Sequence, residues 1–253
     1  MSILRAFFRL LLAATMLTIG MTLTLLFMLV PIRMGNGMRL AAWPISWMAH
    51  IFLWTFNIQY RCENPAMLRQ HQGLVFCNHL SYVDPIIPFA IAPLRFLGAA
   101  GVRRLPVINW IALALDTIYV NRSDQTSRSQ ARQEIASQLQ ERPYPPLMLY
   151  PEGNVGPGDA LLEFRHGAFE IALEYDIPCL LCAIQYDPLP VVAYYKADDT
   201  LPKAIWRLAT HGGPVYAELK VLSVLDIPAL DTTDRSAQEL AESAHEIISS
   251  ACR

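Results

Sequence analysis

The first 61 residues contain no acidic side chain, although they carry five arginines. The remaining 192 residues therefore hold 15 basic and 22 acidic side chains, a net charge of −7, whereas the whole chain has a net charge of only −2. A cationic, apolar front on an acidic body predicts a membrane-facing end followed by a soluble body. We accordingly divide the chain into hydrophobic membrane-binding helices at 1–60 and a second, folded domain at 61–253.

Charge is absent altogether between Leu10 and Ile32. At about 1.5 Å per residue, a helix of this length reaches ~34 Å, enough for a hydrocarbon core of ~30 Å. A cleaved signal peptide is the competing interpretation, because Arg5 and Arg9 precede the run. The run is longer than a usual signal core, and no convincing small-x-small cleavage site follows it. We favour a membrane segment that is retained.

A second stretch, Leu40–Tyr60, also lacks acids, lysine and arginine, but it contains Trp43, Trp47 and Trp54. Tryptophan at such spacing is typical of the headgroup zone of a bilayer. The stretch is therefore either a second span or a helix lying in the interface. Arginines flank both ends of the first apolar run, so the positive-inside rule does not settle the orientation.

Several signatures of other protein classes are missing. The chain has no P-loop, no dinucleotide-binding fingerprint, no nucleic-acid-binding motif and no internal repeat. Cys179 and Cys182 form a C-x-x-C, but no second pair completes a zinc site, so we interpret them as buried strand residues and expect no metal. An odd count of five cysteines suits a reducing compartment.

Apolar periodicity and turn residues predict an α/β chain. Strands are expected near 73–77, 95–100, 117–120, 147–150, 177–183 and 215–224. Helices are expected near 106–115, 124–142, 163–175 and 237–250.

One stretch combines a buried strand with chemistry. The strand 73–77 ends in Asn78 and His79, and Asp84 follows five positions after the histidine. We expect Asn78 to be the N-cap of a helix, which would put His79 at the carboxyl end of a strand, where α/β folds hold ligands. An imidazole takes a proton from an alcohol or water best when a carboxylate holds its other nitrogen. The alternative is a capped helix with an incidental histidine and aspartate. Ser81 lacks a G-x-S-x-G elbow and is interpreted as structural.

Three motifs in order resemble those of the glycerolipid acyltransferases, in particular the 1-acylglycerol-3-phosphate acyltransferases. Asn78-His79-(four residues)-Asp84 resembles their N-H-x-x-x-x-D signature. Tyr150-Pro151-Glu152-Gly153 is similar to their F-P-E-G-T-R-S block, and Ile118–Arg122 resembles a strand ending in arginine. The resemblance covers about residues 60–225. It implies a mixed, largely parallel sheet flanked by helices, preceded by an N-terminal two-helix membrane motif.

The resemblance also implies roles for individual residues. His79 and Asp84 are then catalytic, and the substrate-binding residues are Asn78, Arg122, Glu152, Gly153 and Arg165. The chain departs from the family at Asn154-Val155-Gly156, which stands where the family has Thr-Arg-Ser. The arginine that helps to hold phosphate is therefore missing, so either Arg165 supplies the charge or the acceptor head group differs.

The implied reaction moves a fatty acyl group from acyl-CoA or acyl-carrier protein to the hydroxyl of a lysophospholipid, with 1-acylglycerol-3-phosphate as the first candidate acceptor. Partners are then membrane lipid, the lysophospholipid and the thioester, with no nucleic acid, metal or cofactor. The implied location is a membrane, the inner or cytoplasmic one in a bacterium, with the catalytic domain facing the cytoplasm. Alternatives are another lysolipid acceptor such as lyso-ornithine lipid, a lipid or thioester hydrolase, and a lipid-binding module without turnover.

Overall fold

The computed structural model describes residues 2–121, 124–156, 161–193, 199–225 and 236–252. The strands are β1 (Ile58–Glu63), β2 (Leu74–Cys77), β3 (Arg95–Ala99), β4 (Ile118–Val120), β5 (Leu147–Leu149), β6 (Cys179–Asp187) and β7 (Val215–Leu225). The α-helices are α1 (Ser2–Met28), α2 (Ala42–Thr55), α3 (Pro65–Gln70), α4 (Ile86–Ile91), α5 (Pro106–Ala114), α6 (Gln125–Glu141), α7 (Gly167–Glu174), α8 (Leu189–Val192), α9 (Leu201–Thr210) and α10 (Ala237–Ala251). A 3₁₀ helix covers Ala100–Arg104.

The strands form one seven-stranded sheet in the order β1-β7-β6-β2-β5-β3-β4. The β6–β7 pair is antiparallel, and every other pair among the described strands is parallel. The prediction of a mixed, largely parallel sheet flanked by helices is thereby confirmed. Because β2 lies between β5 and β6 and runs parallel to both, the segments that follow these three strands leave the sheet at the same edge.

Alternating side chains of the central strands enter two separate cores. Val75 and Cys77 of β2 face a cluster that includes residues of α2, α4 and α9, whereas Leu74 and Phe76 face a cluster with α6, α7 and α10. Side chains alternate between the faces of a strand, so a strand buried on both faces reads as a continuous apolar run. The sheet is consequently the middle of three layers.

Two elements differ from the prediction. Helix α3 was not among the predicted helices; it has Pro65 at its first turn, where proline needs no hydrogen bond. The helix expected from Asn78 is wrong: residues 78–80 are irregular, and α4 begins only at Ile86, after Pro85.

Helix α1 has a mean hydropathy of 2.1 and, among the described residues, is the one helix long and apolar enough to cross a bilayer. Helix α2 has 14 residues, or about 21 Å, too short to cross a hydrocarbon core of ~30 Å. The expected two-helix membrane motif thus contains one such helix and a shorter neighbour packed against it.

Helix α1 is attached to the body near its first turns and through the loop that follows it. The guanidinium of Arg9 donates to the carbonyl of His211, 2.8 Å away at the end of α9. In the loop between α1 and α2, Arg33 and Arg39 each lie 2.7 Å from the carboxylate of Asp116. Strand β1 begins at Ile58, just before the predicted division between 1–60 and 61–253.

The outer face of α1 is apolar and open. Its exposed large side chains include Ile3, Leu4, Phe7, Phe8, Leu11, Leu17, Ile19, Leu25 and Leu26. Trp43 and Trp54 of α2 are exposed as well, at 53% and 74%. Soluble proteins rarely expose so much contiguous apolar surface, which is typical of a face that contacts lipid or another protein.

Candidate active site

His79 and Asp84 lie together at the carboxyl edge of the sheet. The ring nitrogen Nδ1 of His79 is 2.7 Å from Oδ2 of Asp84. The Asp84 side chain is fully buried, whereas that of His79 is 20% exposed. No hydrogen bond within the described part of the chain involves Nε2 of His79. A hydroxyl could therefore meet Nε2 while the carboxylate holds Nδ1, which is the geometry a general base requires.

The turn that brings the two residues together is closed by Asp84 itself. Its Oδ2 accepts the backbone N–H groups of Leu80 and Ser81 at 2.6 and 2.8 Å. The hydroxyl of Ser81 donates to the carbonyl of Val192 at 2.6 Å. These bonds satisfy polar groups that burial would otherwise leave unpaired. Ser81 thus has the structural position expected from its sequence context.

Asn78 does not cap a helix, because its side chain is engaged across the sheet. Its Oδ1 accepts the N–H of Ile184 at 2.7 Å, and its Nδ2 donates to the carbonyl of the same residue at 2.9 Å. Asn78 is fully buried. The side chain mimics a ladder partner and extends the β2–β6 pairing by one residue. Both amide atoms thus bond to the backbone of β6, and the predicted role of Asn78 in substrate binding stays a prediction.

Glu152 is hydrogen-bonded to the backbone of His79. Its Oε1 accepts the backbone N–H of His79 at 2.6 Å, and its Oε2 accepts that of Leu162 at 2.9 Å. Burial raises the pKa of Glu152 above its usual value, while these two N–H groups oppose the shift. The predicted substrate-binding carboxylate therefore joins the turn after β5 to the turn after β2.

The ring of Tyr150 stacks on the imidazole of His79. The ring centroids are 4.1 Å apart and the planes differ by 15°. The hydroxyl of Tyr150 is buried and has no hydrogen-bond partner among the described residues. Burial also raises the pKa of Tyr150 well above its usual value, so the group is a neutral phenol. An aromatic ring at this position restricts the plane of the imidazole.

Gly153 and Arg165 are neighbours in the structure. Gly153 has a φ of +77°, and a Cβ there would come within 2.8 Å of Nε of Arg165. The absence of a side chain thus permits the close approach of Arg165, which is itself exposed. In the divergent segment, the N–H of Gly156 donates to the carbonyl of His79 at 2.7 Å. The divergent loop is therefore bonded directly to the turn that holds His79 and Asp84.

Two cavities meet beside the histidine. The apolar cavity has a volume of about 870 Å³ and is lined by His79 together with residues of α1, α2 and α5. The polar cavity, of about 830 Å³, is lined by Arg128, Arg132, Arg165 and His166. Leu149, Tyr150 and Gly153 are among the residues that line both cavities. Volumes of this size suit small-molecule or lipid ligands.

The structure brings most of the predicted site residues together around one turn: His79, Asp84, Asn78, Glu152, Gly153 and Arg165. Arg122 lies outside the described residues, and its predicted role stays a prediction. One residue at the site was not predicted. The hydroxyl of Tyr186 donates to Oδ1 of Asp84 at 2.8 Å. No local motif marks Tyr186, which follows Asp84 by 102 positions.

Comparison with known proteins agrees with this geometry. A model of the acyltransferase family matches residues 59–185, half of the chain. The chain therefore belongs to the acyltransferase family. It is similar to a lyso-ornithine lipid O-acyltransferase from Pseudomonas aeruginosa, with 30% identity over 204 residues, which cover 79% of this chain and 75% of that protein.

Two other relatives extend the comparison. The lysophospholipid acyltransferase LPEAT2 of Arabidopsis thaliana is 33% identical over 169 residues, which are 65% of this chain but only 31% of that longer protein. The crystal structure of the 1-acyl-sn-glycerophosphate acyltransferase PlsC from Thermotoga maritima superposes with a TM-score of 0.74. The match covers 99% of this chain and 96% of that one at 16% identity, and it establishes the shared fold.

The double role of Glu152 as an acceptor leads to a prediction. In Glu152→Gln, an amide NH₂ group replaces one of the two acceptor oxygens. This group cannot accept a hydrogen bond from the backbone N–H that it faces. We expect the unfolding free energy to fall by about 1–3 kcal/mol, because a buried donor loses its partner. Thermal unfolding in detergent measures the change. Glu163→Gln, the same substitution at an exposed glutamate, is the control. Equal stability of the two variants would contradict the proposed bonding of Glu152.

Proposed function

We propose that the chain is an O-acyltransferase that moves a fatty acyl group from an acyl thioester to the hydroxyl of a lysolipid. The observation that carries the proposal is the Asp84–His79 pair, with Nε2 unoccupied beside an apolar cavity. Family membership supports acyl transfer as the reaction class. The donor is acyl-CoA or acyl-carrier protein, and no metal or cofactor takes part in the proposed chemistry.

In the proposed mechanism, Nε2 of His79 accepts the proton of the lysolipid hydroxyl while Asp84 stabilises the imidazolium that forms. The oxygen attacks the thioester carbonyl, a C–O bond forms, and the C–S bond breaks as the tetrahedral intermediate collapses. The proton then passes from His79 to the departing thiolate. The reaction needs no acyl-enzyme, and Ser81, whose hydroxyl is bonded to Val192, takes no part in it.

Two acceptors are supported by different observations. The three sequence motifs favour 1-acylglycerol-3-phosphate, whose product would be phosphatidate. The Pseudomonas relative and the missing arginine at Asn154-Val155-Gly156 favour lyso-ornithine lipid. In either case we place the acyl chain in the apolar cavity and the head group towards the polar cavity, because the two cavities share a wall next to His79.

Product analysis separates the alternatives, because a hydrolase would release free fatty acid and a lipid-binding module would give no product. We expect membranes that contain the wild-type chain to convert a labelled acyl thioester and a lysolipid into esterified lipid. In His79→Ala the rate should fall about 100- to 10,000-fold, the usual contribution of a general base. His50→Ala, which changes an exposed histidine of α2, is the matched control. Free fatty acid as the main product would indicate a hydrolase, and wild-type turnover in His79→Ala would remove His79 from the base role.

Arg165 tests the identity of the head group. If the acceptor carries a phosphate, Arg165→Gln should lower kcat/KM for 1-acylglycerol-3-phosphate by about tenfold, the effect of about 1.4 kcal/mol of lost binding. Lyso-ornithine lipid, which has no phosphate, should be affected less. Rates with a panel of both acceptors measure the difference, and Arg69→Gln on α3 is the control. A higher wild-type kcat/KM for lyso-ornithine lipid would identify it as the preferred acceptor.

We also propose that the open face of α1 rests in one leaflet of a membrane. Because α1 is attached to the body at α9 and at Asp116, only its outer face is free to meet lipid. The interfacial tryptophans of α2 support the same placement. The body then faces the cytoplasm if the donor thioester is supplied there.

Vesicle flotation tests the membrane placement. Phe7→Asp combined with Leu11→Asp places two charges on the open face, where the side chains are 58% and 53% exposed. We expect the variant to leave the vesicle fraction, because charged groups are costly in the hydrocarbon region. Gln130→Asp, an added charge on the exposed side of α6, should float like the wild type. Retained flotation of the double variant would show that α1 is not the lipid contact.

A further inference from the structure

Asp84 accepts four hydrogen bonds among the described residues, and they are divided unevenly between its two oxygens. Oδ2 accepts from Nδ1 of His79 and from the N–H groups of Leu80 and Ser81, all within the same turn. Oδ1 accepts from the hydroxyl of Tyr186 alone, at 2.8 Å. The orientation of the carboxylate about its own axis therefore depends on a contact made from a different strand.

Strand β6 contacts both ends of the turn that runs from Asn78 to Asp84. Ile184 exchanges two hydrogen bonds with Asn78 at the start of the turn, and Tyr186 bonds Asp84 at its end. The first contact is made by the backbone of Ile184 and the second by the side chain of Tyr186, two positions later on the same strand. Tyr186 is 7% exposed, which leaves its hydroxyl little access to water as a competing partner.

The hydroxyl is a permanent donor. Burial raises the pKa of Tyr186 well above its usual value, and the neighbouring charge of Asp84 raises it further. The phenol consequently keeps its proton throughout the range in which an imidazole titrates. A donor bonded to a carboxylate disperses part of the negative charge, which reduces the pull of that carboxylate on a neighbouring cation.

On the basis of the acyl transfer proposed above, we propose that Tyr186 is a positioning residue that acts through Asp84. Its hydroxyl holds Oδ1 so that Oδ2 stays in line with Nδ1 of His79, and it moderates the charge that the imidazolium meets. Tyr186 is absent from the lining of both the apolar cavity and the polar cavity, and its hydroxyl is directed at Asp84, so the proposed role is indirect.

The pH dependence of Tyr186→Phe tests the proposal. We expect kcat to fall about tenfold with KM little changed, because Oδ1 loses the hydrogen bond from Tyr186 while the substrate contacts remain. The acid limb of the kcat profile should move to higher pH, on the order of half a unit, because a carboxylate that keeps more charge holds the imidazolium more tightly. Tyr216→Phe, at an exposed tyrosine of β7, is the matched control.

Two further variants separate a positioning role from a structural one. Tyr186→3-fluorotyrosine keeps the hydrogen bond but makes the phenol a stronger donor, so the acid limb should move to lower pH. In an Asp84→Asn background, Tyr186→Phe should cause no further loss of rate, because the two residues act as one unit. The fluorinated variant keeps the hydroxyl and therefore tests the proposal even if Tyr186→Phe unfolds.

The outcomes distinguish this inference from the proposed function. A wild-type chain that acylates no lysolipid would remove the function on which the inference rests. An active wild type whose rate and acid limb are unchanged in Tyr186→Phe, with a melting temperature like that of Tyr216→Phe, would overturn the role of Tyr186 alone. Losses that add fully in the Asp84→Asn background would also overturn it.

Discussion

The site depends on one buried carboxylate that has donors on every side. Asp84 is fully buried, and an ionised carboxylate in that position is stable only when hydrogen bonds replace its lost water. Two backbone N–H groups, an imidazole and a phenol take that place. The same contacts that make the charge tolerable also fix the turn, so the stability of the turn and the orientation of His79 have one physical origin.

The features of this site that could be predicted from the sequence depend on residues that are close together in the chain. The apolar run before Asn78 predicts β2, and the carboxyl end of a parallel strand is where a functional residue is expected. His79 and Asp84 are close enough in sequence for one turn to pair them. The motif around Glu152 likewise follows β5, and the adjacency of β2 and β5 brings it to His79.

The rest depends on contacts between distant segments, which leave no local signal. Asparagine is a common helix-capping residue, but the amide of Asn78 is hydrogen-bonded to the backbone of Ile184, 106 positions later. This tertiary contact overrides the local preference for a cap. Tyr186 looks like any apolar strand residue until β6 is placed beside β2. Gly153 is predicted to bind substrate, and the close approach of the Arg165 side chain, which also needs a glycine there, has no signal in the local sequence. Tertiary contacts decided each of these positions.

The N-terminal helices belong to the site as well as to the surface. Leu10 and Leu17 of α1 and Met48 of α2 line the same apolar cavity as His79. Separation of α1 from the body would open this cavity to water. The hydrogen bond of Arg9 and the ion pair of Arg33 oppose that separation. An acyl chain entering between α1 and the sheet would stay in apolar surroundings while its polar end reached the strand edges, where the donors are. The apolar cavity therefore lies next to the His79–Asp84 pair because an apolar helix packs against the carboxyl edge of a parallel sheet.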